Sequence, residues 1–233
     1  MAKVVRLNPG ECAGILAGTS CAFGVFDGVH KGHQFLIDCA RMTAMAADAP
    51  SAILTFSIDP DELFAPDKLV KLMTNERRIA ILAATGVDVV VVIPFDYAFA
   101  ARTPIEFLES MFGSTPPASM HVGEGFKFGS QGLGDILLLA EWGEQFGMDV
   151  IAHKLLDMDG APISSTRIRK LLLEGCEREA NRLLGHEFAS NLAAVHAETV
   201  ITAYEAPLHI SQKDPPAGRS RPRSTARRAP SPS

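Results

Sequence analysis

The sequence lacks a long uninterrupted apolar run, which argues against a membrane-spanning helix. No stretch approaches the roughly 20 consecutive apolar residues that such a helix needs. The apolar residues of AGILAGTSCAFGVF (13–26) are similar to the centre of a signal peptide, but Asn8, Pro9 and Glu11 precede them. FDGVH follows where a cleavage site would have to lie. We therefore expect a soluble cytoplasmic protein.

The sequence also has few cysteines, and none of them are closely spaced. The four cysteines form no Cys-x-x-Cys pair and are Cys12, Cys21, Cys39 and Cys176. This pattern favours free thiols in a reducing compartment, although sequence separation alone leaves a disulfide open. With 233 residues, of which 47% are hydrophobic, the chain is long enough for one α/β domain, with or without an extension.

Charge is distributed unevenly along the chain. The formal net charge is -5, yet the C-terminal segment carries Lys213 and five arginines against one acidic residue, Asp214. This segment is rich in Pro, Ser, Ala and Arg and has no hydrophobic period, so we expect it to be disordered. A basic arm for nucleic acid or acidic partners is the alternative, but no interleaved aromatic residue favours it. The predicted units are a domain over 1–190, a connecting segment of uncertain structure over 191–210, and a basic tail over 211–233.

Apolar β-rich runs alternate with amphipathic runs, which predicts an α/β fold with a parallel sheet and helices on both faces. The predicted strands are SCAFGVF (20–26), SAILTF (51–56), VDVVVVI (87–93), ASMHVG (118–123) and MDVIAH (148–153). The predicted helices are HQFLIDCARMTAMAA (33–47), TNERRIAILAAT (74–85), TPIEFLESMF (103–112), GDILLLAEWGEQF (134–146), and two short C-terminal helices, SSTRIRKLLLEG (164–175) and CEREANRLLG (176–185). Thr74 and Thr103 are predicted N-caps, and Gly175 and Gly185 predicted helix ends.

The segment FGVFDGVHKGHQFLI (23–37) is a strand end followed directly by a helix start. In open α/β sheets, ligands bind beyond the carboxyl ends of the strands. A helix N-terminus offers unsatisfied N–H donors and a partial positive charge, both of which suit phosphate. Gly28 permits a tight turn, and Gly32 would let a phosphate approach the backbone closely. This pattern predicts an anion site.

Two histidines belong to the same segment. His30 and His33 would direct ring N–H groups at the anion, while Lys31 adds charge or faces solvent. Taken alone, a His-x-x-His pair is as often surface or core histidine, and as a metal site it lacks further ligands of obvious spacing. The residues of this motif by themselves leave these alternatives open.

A second segment, ISSTRIRKLL (163–172), has three hydroxyl residues at a helix start, followed by Arg167 and Arg169. Alone it is typical of a capped helix with a basic face. As a second phosphate-type helix start, about 130 residues after the first, it suggests one polyphosphate held from two sides.

Together, G-x-F-D-x-x-H-x-G-H and I-S-S-T-x-I-R resemble the nucleotidylyltransferase superfamily with its HxGH signature. The chain is most similar to the FAD synthetase (FMN adenylyltransferase) module of bacterial bifunctional riboflavin kinase/FAD synthetases. The resemblance covers residues from about 18 to 188, and its segments are GVFDGVHKGHQ, GVDVVVVIPFDYAFA, VGEGFKFG, GDILLL, ISSTRIR and ANRLLGHEF. It implies a Rossmann-like nucleotidylyltransferase fold. Cytidylyltransferases carry a threonine-rich second motif instead, and pantetheine-phosphate adenylyltransferases lack FKFG.

The resemblance implies that AMP is transferred from ATP to FMN, giving FAD and pyrophosphate. His30 and His33 would be catalytic, acting on the α-phosphoryl oxygens. The implied ATP-binding residues are Gly24, Val25, Phe26, Asp27, Gly32, Ser164, Ser165, Thr166 and Arg169. The implied FMN-binding residues are Phe56, Pro60, Phe126 and Phe128. Mg²⁺ would be held mainly by the ATP phosphates, with Glu124 as the suggested protein ligand.

Three departures from the family pattern are visible. FSIDP stands where the family has Phe-x-Pro-His-Pro, so Ile58 replaces a proline and Asp59 a histidine. Gly125 replaces the Asp or Asn of V-G-x-D-F-x-F-G. After LGHEF, the glycine-rich start and Pro-Thr-Ala-Asn of the riboflavin kinase barrel are not found. We therefore expect no riboflavin kinase activity and a separate kinase that supplies FMN.

Two alternatives to FMN adenylyl transfer stay open. FSIDP and Gly125 favour a nucleotidylyltransferase that acts on another phosphorylated small molecule. A weakly active flavin- or nucleotide-binding paralogue is the other alternative, and the retained His30, His33 and ISSTRIR argue against it.

Overall fold

A computed structural model describes residues 1–67 and 69–186 fully, together with the backbone of residues 208 and 209. The strands are β1 (Lys3–Arg6), β2 (Ser20–Phe23), β3 (Ser51–Phe56), β4 (Val89–Ile93), β5 (Ser119–Gly123), β6 (Asp149–His153), β7 (Asp157–Met158), β8 (Ala161–Pro162) and β9 (Leu208–His209). The helices are α1 (Lys31–Ala46), α2 (Pro60–Phe64), α3 (Asn75–Ala84), α4 (Tyr97–Ala100), α5 (Pro104–Phe112), α6 (Ile136–Phe146), α7 (Ser165–Leu173) and α8 (Glu177–Leu184).

The main sheet has the order β1-β4-β3-β2-β5-β6-β9. Strands β1 to β6 are parallel to one another, and β9 pairs antiparallel with β6. The part β4-β3-β2-β5-β6 has the strand order of a Rossmann fold. After β4, the chain crosses to the other side of β2 and adds β5 and β6 there, so the strand order reverses between β2 and β5. The predicted α/β fold with a parallel sheet is confirmed.

All five predicted strands are present, and one parallel strand of the main sheet was missed. Strand β1 pairs with β4 in the register Lys3↔Val89 to Arg6↔Val92. It is only four residues long and partly exposed, as an edge strand is, so it lacks the apolar run by which the other strands were predicted. The strand predicted over 20–26 ends at Phe23, because the chain turns sharply from Phe26 onward.

Strand β4 shows why its sequence is continuously apolar. Val91 and Ile93 pack in the core formed with α5 and α6, whereas Val90 and Val92 pack in the core formed with α1 and α3. Burying each of these side chains contributes roughly 1.5–3 kcal/mol relative to leaving it exposed. Helices therefore cover both faces, as predicted.

The helix ends agree with the predicted caps. Thr74 caps α3, and Thr103 and Glu106 form a reciprocal capping box at α5. Gly175 and Gly185 have φ angles of 74° and 77° after α7 and α8, conformations that favour glycine.

Several predictions lie wholly or partly outside the described residues. The end of the predicted domain, most of 191–210 and the basic tail over 211–233 belong there. All four cysteines are described, and all are free thiols. Within the described part of the chain, no helix has the length and apolar character that crossing a bilayer requires.

Candidate active site

The candidate site lies at the carboxyl ends of the strands, where the strand order reverses between β2 and β5. The loop after β2 carries the two histidines, and it is strongly bent. Phe26 and Val29 have positive φ angles of 60° and 38°, and Gly28 has 82°. Such values are uncommon for bulky residues and rare for β-branched ones, so this loop is held in a strained conformation. A Cβ at Gly28 would lie 2.6 Å from the Leu72 side chain, which explains the glycine.

The end of α8 holds this loop in place. The amide of Gln34 in α1 donates to the carbonyls of Val29 at 2.8 Å and Leu184 at 3.1 Å. A ring nitrogen of His186 lies 2.9 Å from the carbonyl oxygen of Gly28. The described part of the ANRLLGHEF segment, to which the resemblance gave no role, is therefore in direct contact with the first motif.

His30 and His33 stack on each other at the start of α1. Their ring centroids are 3.5 Å apart, and the rings are 17° from parallel. His30 is the N-cap of α1, since its Nδ1 accepts a hydrogen bond from the backbone N–H of His33 at 3.2 Å. An accepting Nδ1 leaves the ring proton on Nε2, which becomes the donor available to a ligand.

Gly32 packs closely against two neighbouring groups. A Cβ at this position would meet the His30 ring at 3.2 Å and the Ile163 carbonyl at 3.5 Å. Glycine therefore leaves room for the His30 imidazole and for the segment that leads into α7. The close approach of phosphate to this backbone stays a prediction.

Both histidines are electrically neutral near pH 7. Burial lowers the pKa of His30 to about 4. Burial also lowers the pKa of His33 well below its usual range, with smaller contributions from His30 and Arg78. The Nδ1 atom of His33 is buried and has no hydrogen-bond partner among the described residues. The pair can donate hydrogen bonds to phosphoryl oxygens, but it does not bring two full positive charges.

The two phosphate-type motifs meet at Asp27. The hydroxyl of Ser165 donates to the Asp27 carbonyl at 2.9 Å, across 138 positions of sequence. The Arg169 guanidinium forms an ion pair with the Asp27 carboxylate at 2.7 Å and donates to the Val70 carbonyl. Ser164 caps α7 by accepting from the backbone N–H of Arg167. The first-motif loop and the start of α7 thus form one surface.

The remaining residues of the second motif are placed differently. Thr166 is exposed at the start of α7. Arg167 donates to the carbonyls of Met158 and Ala161, so it fastens the β7–β8 hairpin to α7. Arg167 is therefore a structural residue of the motif.

Aromatic side chains cover the other side of the site. Phe56 at the end of β3 and Phe126 after β5 both contact Phe23, with ring centroids 5.6 and 5.0 Å away. Phe128 is only 5% exposed and packs against Phe107 and Phe126. Phe128 therefore supports Phe126 from the core, while Phe56 and Phe126 are partly exposed.

Sequence reasoning missed two exposed aromatic residues beside this cluster. Phe64 in α2 is 60% exposed and Tyr97 in α4 is 66% exposed, with ring centroids 6.1 Å apart. Phe95 links them to Phe56, from which its ring lies 5.1 Å away. Two large exposed aromatics in contact form an apolar patch typical of ligand sites. The aromatic spacing of FDYAFA was a signal for this patch.

The departures from the family pattern have clear local settings. Asp59 is 8% exposed and is the N-cap of α2, in a capping box with Glu62, and Pro60 is the first residue of that helix. The Asp59 carboxylate therefore accepts a hydrogen bond at the start of the helix, although burial raises its pKa. At Gly125 an added Cβ would meet nothing within 4 Å, and the φ angle is not in the left-handed region. The site has room for a side chain there.

The described residues contain no group of three or more His, Cys, Asp or Glu side chains that could hold a metal ion. Glu124, the suggested ligand, accepts a hydrogen bond from the backbone N–H of Leu155 at 3.2 Å. These residues do not fit a protein-held metal site.

Sequence reasoning also missed Arg78 in α3. It is 2% exposed, and its guanidinium donates to oxygens at the carboxyl ends of β2 and β3. An arginine inside the apolar repeat of an amphipathic helix was the available signal.

Comparison with known proteins agrees with this geometry. The FAD synthetase family model matches residues 13–167. The chain is 34% identical over 183 residues to the bifunctional riboflavin kinase/FMN adenylyltransferase of Escherichia coli K12, an alignment that covers 78% of this chain and 58% of that protein. The protein of the same name from Haemophilus influenzae is 34% identical over 179 residues, with 75% and 57% covered.

A crystal structure described as a macrolide-efflux protein from Streptococcus pneumoniae superimposes with a TM-score of 0.65 and 27% identity, covering 80% of this chain and 62% of that one. The chain spans less than two thirds of the length of the E. coli and H. influenzae relatives. Because the family model covers more than half of the chain, including the first phosphate-type motif and the start of the second, the chain belongs to the FAD synthetase family.

Proposed function

We propose that this chain transfers AMP from ATP to FMN, giving FAD and pyrophosphate. The observation that carries the proposal is the junction at Asp27. There, the loop bearing His30 and His33 is joined to the start of α7 through Ser165 and Arg169. One triphosphate can be held between two helix N-termini only if those termini adjoin.

The reaction requires the protein to position the two substrates rather than to form bonds with them. The FMN phosphate is the nucleophile, and with a second pKa of about 6 it is mostly dianionic at neutral pH. It attacks the α-phosphorus of ATP in line, a P–O bond forms, and the bond to pyrophosphate breaks. Neither a strong general base nor a covalent enzyme intermediate is needed. The protein must align two polyanions and stabilise the charge that develops between them.

Each motif has a proposed part in this reaction. Neutral His30 and His33 donate hydrogen bonds to the α-phosphoryl oxygens in the transition state. The hydroxyls of the second motif and Arg169 hold the β- and γ-phosphates, and residues 24–27 line the adenosine side. The hydroxyls proposed for this contact are Ser164, Ser165 and Thr166. Arg169 already faces the loop, where Asp27 neutralises it in the absence of ATP.

The aromatic cluster suits the flat ring system of FMN. Phe56 and Phe126 line it, with Phe128 behind Phe126. We propose that Pro60, the first residue of α2, also contacts the flavin. We add Phe64 and Tyr97, whose exposure offers ring faces for stacking.

Mg²⁺ enters this proposal with ATP, as the usual MgATP substrate complex, because the described residues form no metal site of their own. FMN would come from a separate riboflavin kinase in the cytoplasm. We propose no nucleic-acid partner.

The test is FAD formation by the purified chain with ATP, Mg²⁺ and FMN, and with riboflavin in a parallel reaction. Chromatography separates the flavins, and pyrophosphate release is followed alongside. FAD from FMN with no product from riboflavin supports the proposal. No FAD in the presence of bound ATP contradicts it.

One specific observation favours a second candidate. The buried Asp59 carboxylate lies in the loop between Phe56 and α2, beside the proposed site of an anionic acceptor. A different phosphorylated small molecule as acceptor would be supported by pyrophosphate release with that acceptor and none with FMN.

A further inference from the structure

Arg78 is a buried cation whose hydrogen bonds go to neutral oxygens. One end of its guanidinium donates to the carbonyl of Val25 and, at 2.8 Å, to the hydroxyl of Thr55. The other end donates to the carbonyl of Phe56 at 2.7 Å, and reaches Ser57 O and Asn75 Oδ1 at 3.5 and 3.3 Å. Burying a full charge against neutral acceptors is costly, so a contribution to stability is a weak explanation for this arginine.

The two ends of the guanidinium bind two different loops. Val25 belongs to the loop after β2, which carries the histidines and faces the proposed ATP site. Phe56 and Ser57 begin the loop after β3, which leads to Asp59 and faces the proposed FMN site. The planar fork of arginine reaches both at once, a geometry that a lysine ammonium cannot reproduce.

The charge of Arg78 also acts on ionisable side chains of the proposed site. It is one of the causes that keep the pKa of His33 low, after burial and His30. Asp59, Asp27 and Glu62 in turn favour the charged form of Arg78, although burial lowers its own pKa. Arg78 thus lies among the acidic groups of both loops and near one catalytic histidine.

We propose that Arg78 is a positioning residue that joins the loop after β2 to the loop after β3, so that the two substrates are held at reacting distance. It contacts neither reacting atom and acts through the carbonyls that it fixes. The inference rests on the proposed adenylyl transfer for its kinetic consequence. A misplacement of about 1 Å between two bound reactants can lower a rate by about 10².

The experiment compares Arg78→Lys and Arg78→Met with Arg6→Lys, a control that makes the same change at an exposed arginine paired with Glu76. Thermal unfolding first fixes a temperature at which every variant is folded. At that temperature we expect Arg78→Lys to lower kcat by about 10² while the Kd values of FMN and ATP, each measured alone, change by less than about threefold. Arg6→Lys should match wild type. A lower unfolding temperature with unchanged kcat in the folded variant overturns the proposal.

A second readout needs no turnover. The affinity for FMN is measured with and without a non-hydrolysable ATP analogue. If the loops move as one unit, the analogue should change the FMN affinity of the wild type by at least about fivefold, and the change should vanish in Arg78→Lys. A wild type that forms no FAD but shows this coupling contradicts the proposed function and keeps the role of Arg78. A wild type with no coupling, or a variant that retains it, contradicts the role of Arg78.

Discussion

Asp27 and Arg169 form an ion pair of 2.7 Å between residues 142 positions apart in sequence. Asp27 is nearly buried and Arg169 about one fifth exposed, so this pair is shielded from solvent better than a surface ion pair. It joins the end of the first phosphate-type motif to the second. The arginine proposed to receive the ATP phosphates is therefore oriented before ATP arrives, by an acidic residue of the opposite motif.

The first prediction concerns this arginine. Arg169→Lys keeps the charge but loses the fork that reaches both Asp27 and Val70. We expect kcat/KM for ATP to fall by about 10-fold to 100-fold, since the oriented donor is lost. Steady-state kinetics with ATP varied would measure the change.

The control is Arg182→Lys, because Arg182, which belongs to α8, forms an exposed ion pair with Asp159. That variant should keep the wild-type kinetics. Equal kinetic constants for Arg169→Lys and the wild type would show that Arg169 does not orient ATP.

The second prediction separates the two roles of His30, as helix cap and as donor. His30→Ala removes both, whereas His30→Asn keeps a good N-cap side chain and removes the imidazole. Both variants should lose about 10² or more in kcat if the imidazole acts in the transition state. Only the alanine variant should also lose about 1 kcal/mol of stability.

His33→Ala should lose activity to a similar extent, with the fold intact by circular dichroism. The measurements are single-turnover rates and urea unfolding. Near-wild-type rates from both His30→Asn and His33→Ala would falsify the proposed mechanism.

The third prediction concerns stability at mildly acidic pH. The pKa of His30 and of His153 is about 4 in the folded chain, in both cases because of burial, against an ordinary value of 6.5. The unfolded chain therefore binds protons first as the pH falls. Stability from these histidines is fully present above about pH 6.5 and is lost as the pH falls from there through 4.

Urea unfolding at pH 7.5, 6 and 5 would measure this loss. His153→Gln tests the assignment, because it removes one of the three histidines with a lowered pKa (His30, His33 and His153), at a position that bears no proposed catalytic contact. The variant should lose less stability than the wild type between pH 7.5 and 5. An identical pH dependence in both proteins would exclude a contribution from His153.

Sequence predicted the parts of this molecule that local patterns encode. The strand–turn–helix at 23–37 and the capped helix at 163–172 were identified, because the residues that mark a phosphate-type helix start are close together in the sequence. That the two motifs hold one polyphosphate was only suggested, and their contact at Asp27 was not predicted, since it depends on tertiary packing. Strand β1 was missed because its pairing with β4 stabilises a segment too short and too exposed to show a pattern.

The residues that the structure adds to the proposed site share one property. The sequence shows Arg78 inside the apolar repeat of its helix, but its contacts depend on which strand ends lie beside that helix. Phe64 and Tyr97 similarly come from two short helices that meet only in the fold. No local pattern contains such a contact, because its partners are determined by the order of strands in the sheet.

The last prediction concerns Gly125, where the family carries Asp or Asn. An added Cβ there meets nothing within 4 Å, and the backbone is in a region that any residue adopts, so Gly125→Asp should fold normally. We expect kcat/KM for adenylyl transfer to rise by about tenfold. A carboxylate at this position can contact the metal ion that ATP carries, or accept a charge-assisted hydrogen bond from a hydroxyl group of a bound substrate, and either is strong enough for this gain.

Gly14→Asp is the matched control, because Gly14 is equally uncrowded, has no left-handed φ and lies in a short turn before β2, away from the histidines. It should leave the kinetics unchanged, which separates the effect of position from that of added negative charge. Unchanged or lower activity in Gly125→Asp, with a normal unfolding transition, would mean that this chain positions its substrates without the family carboxylate.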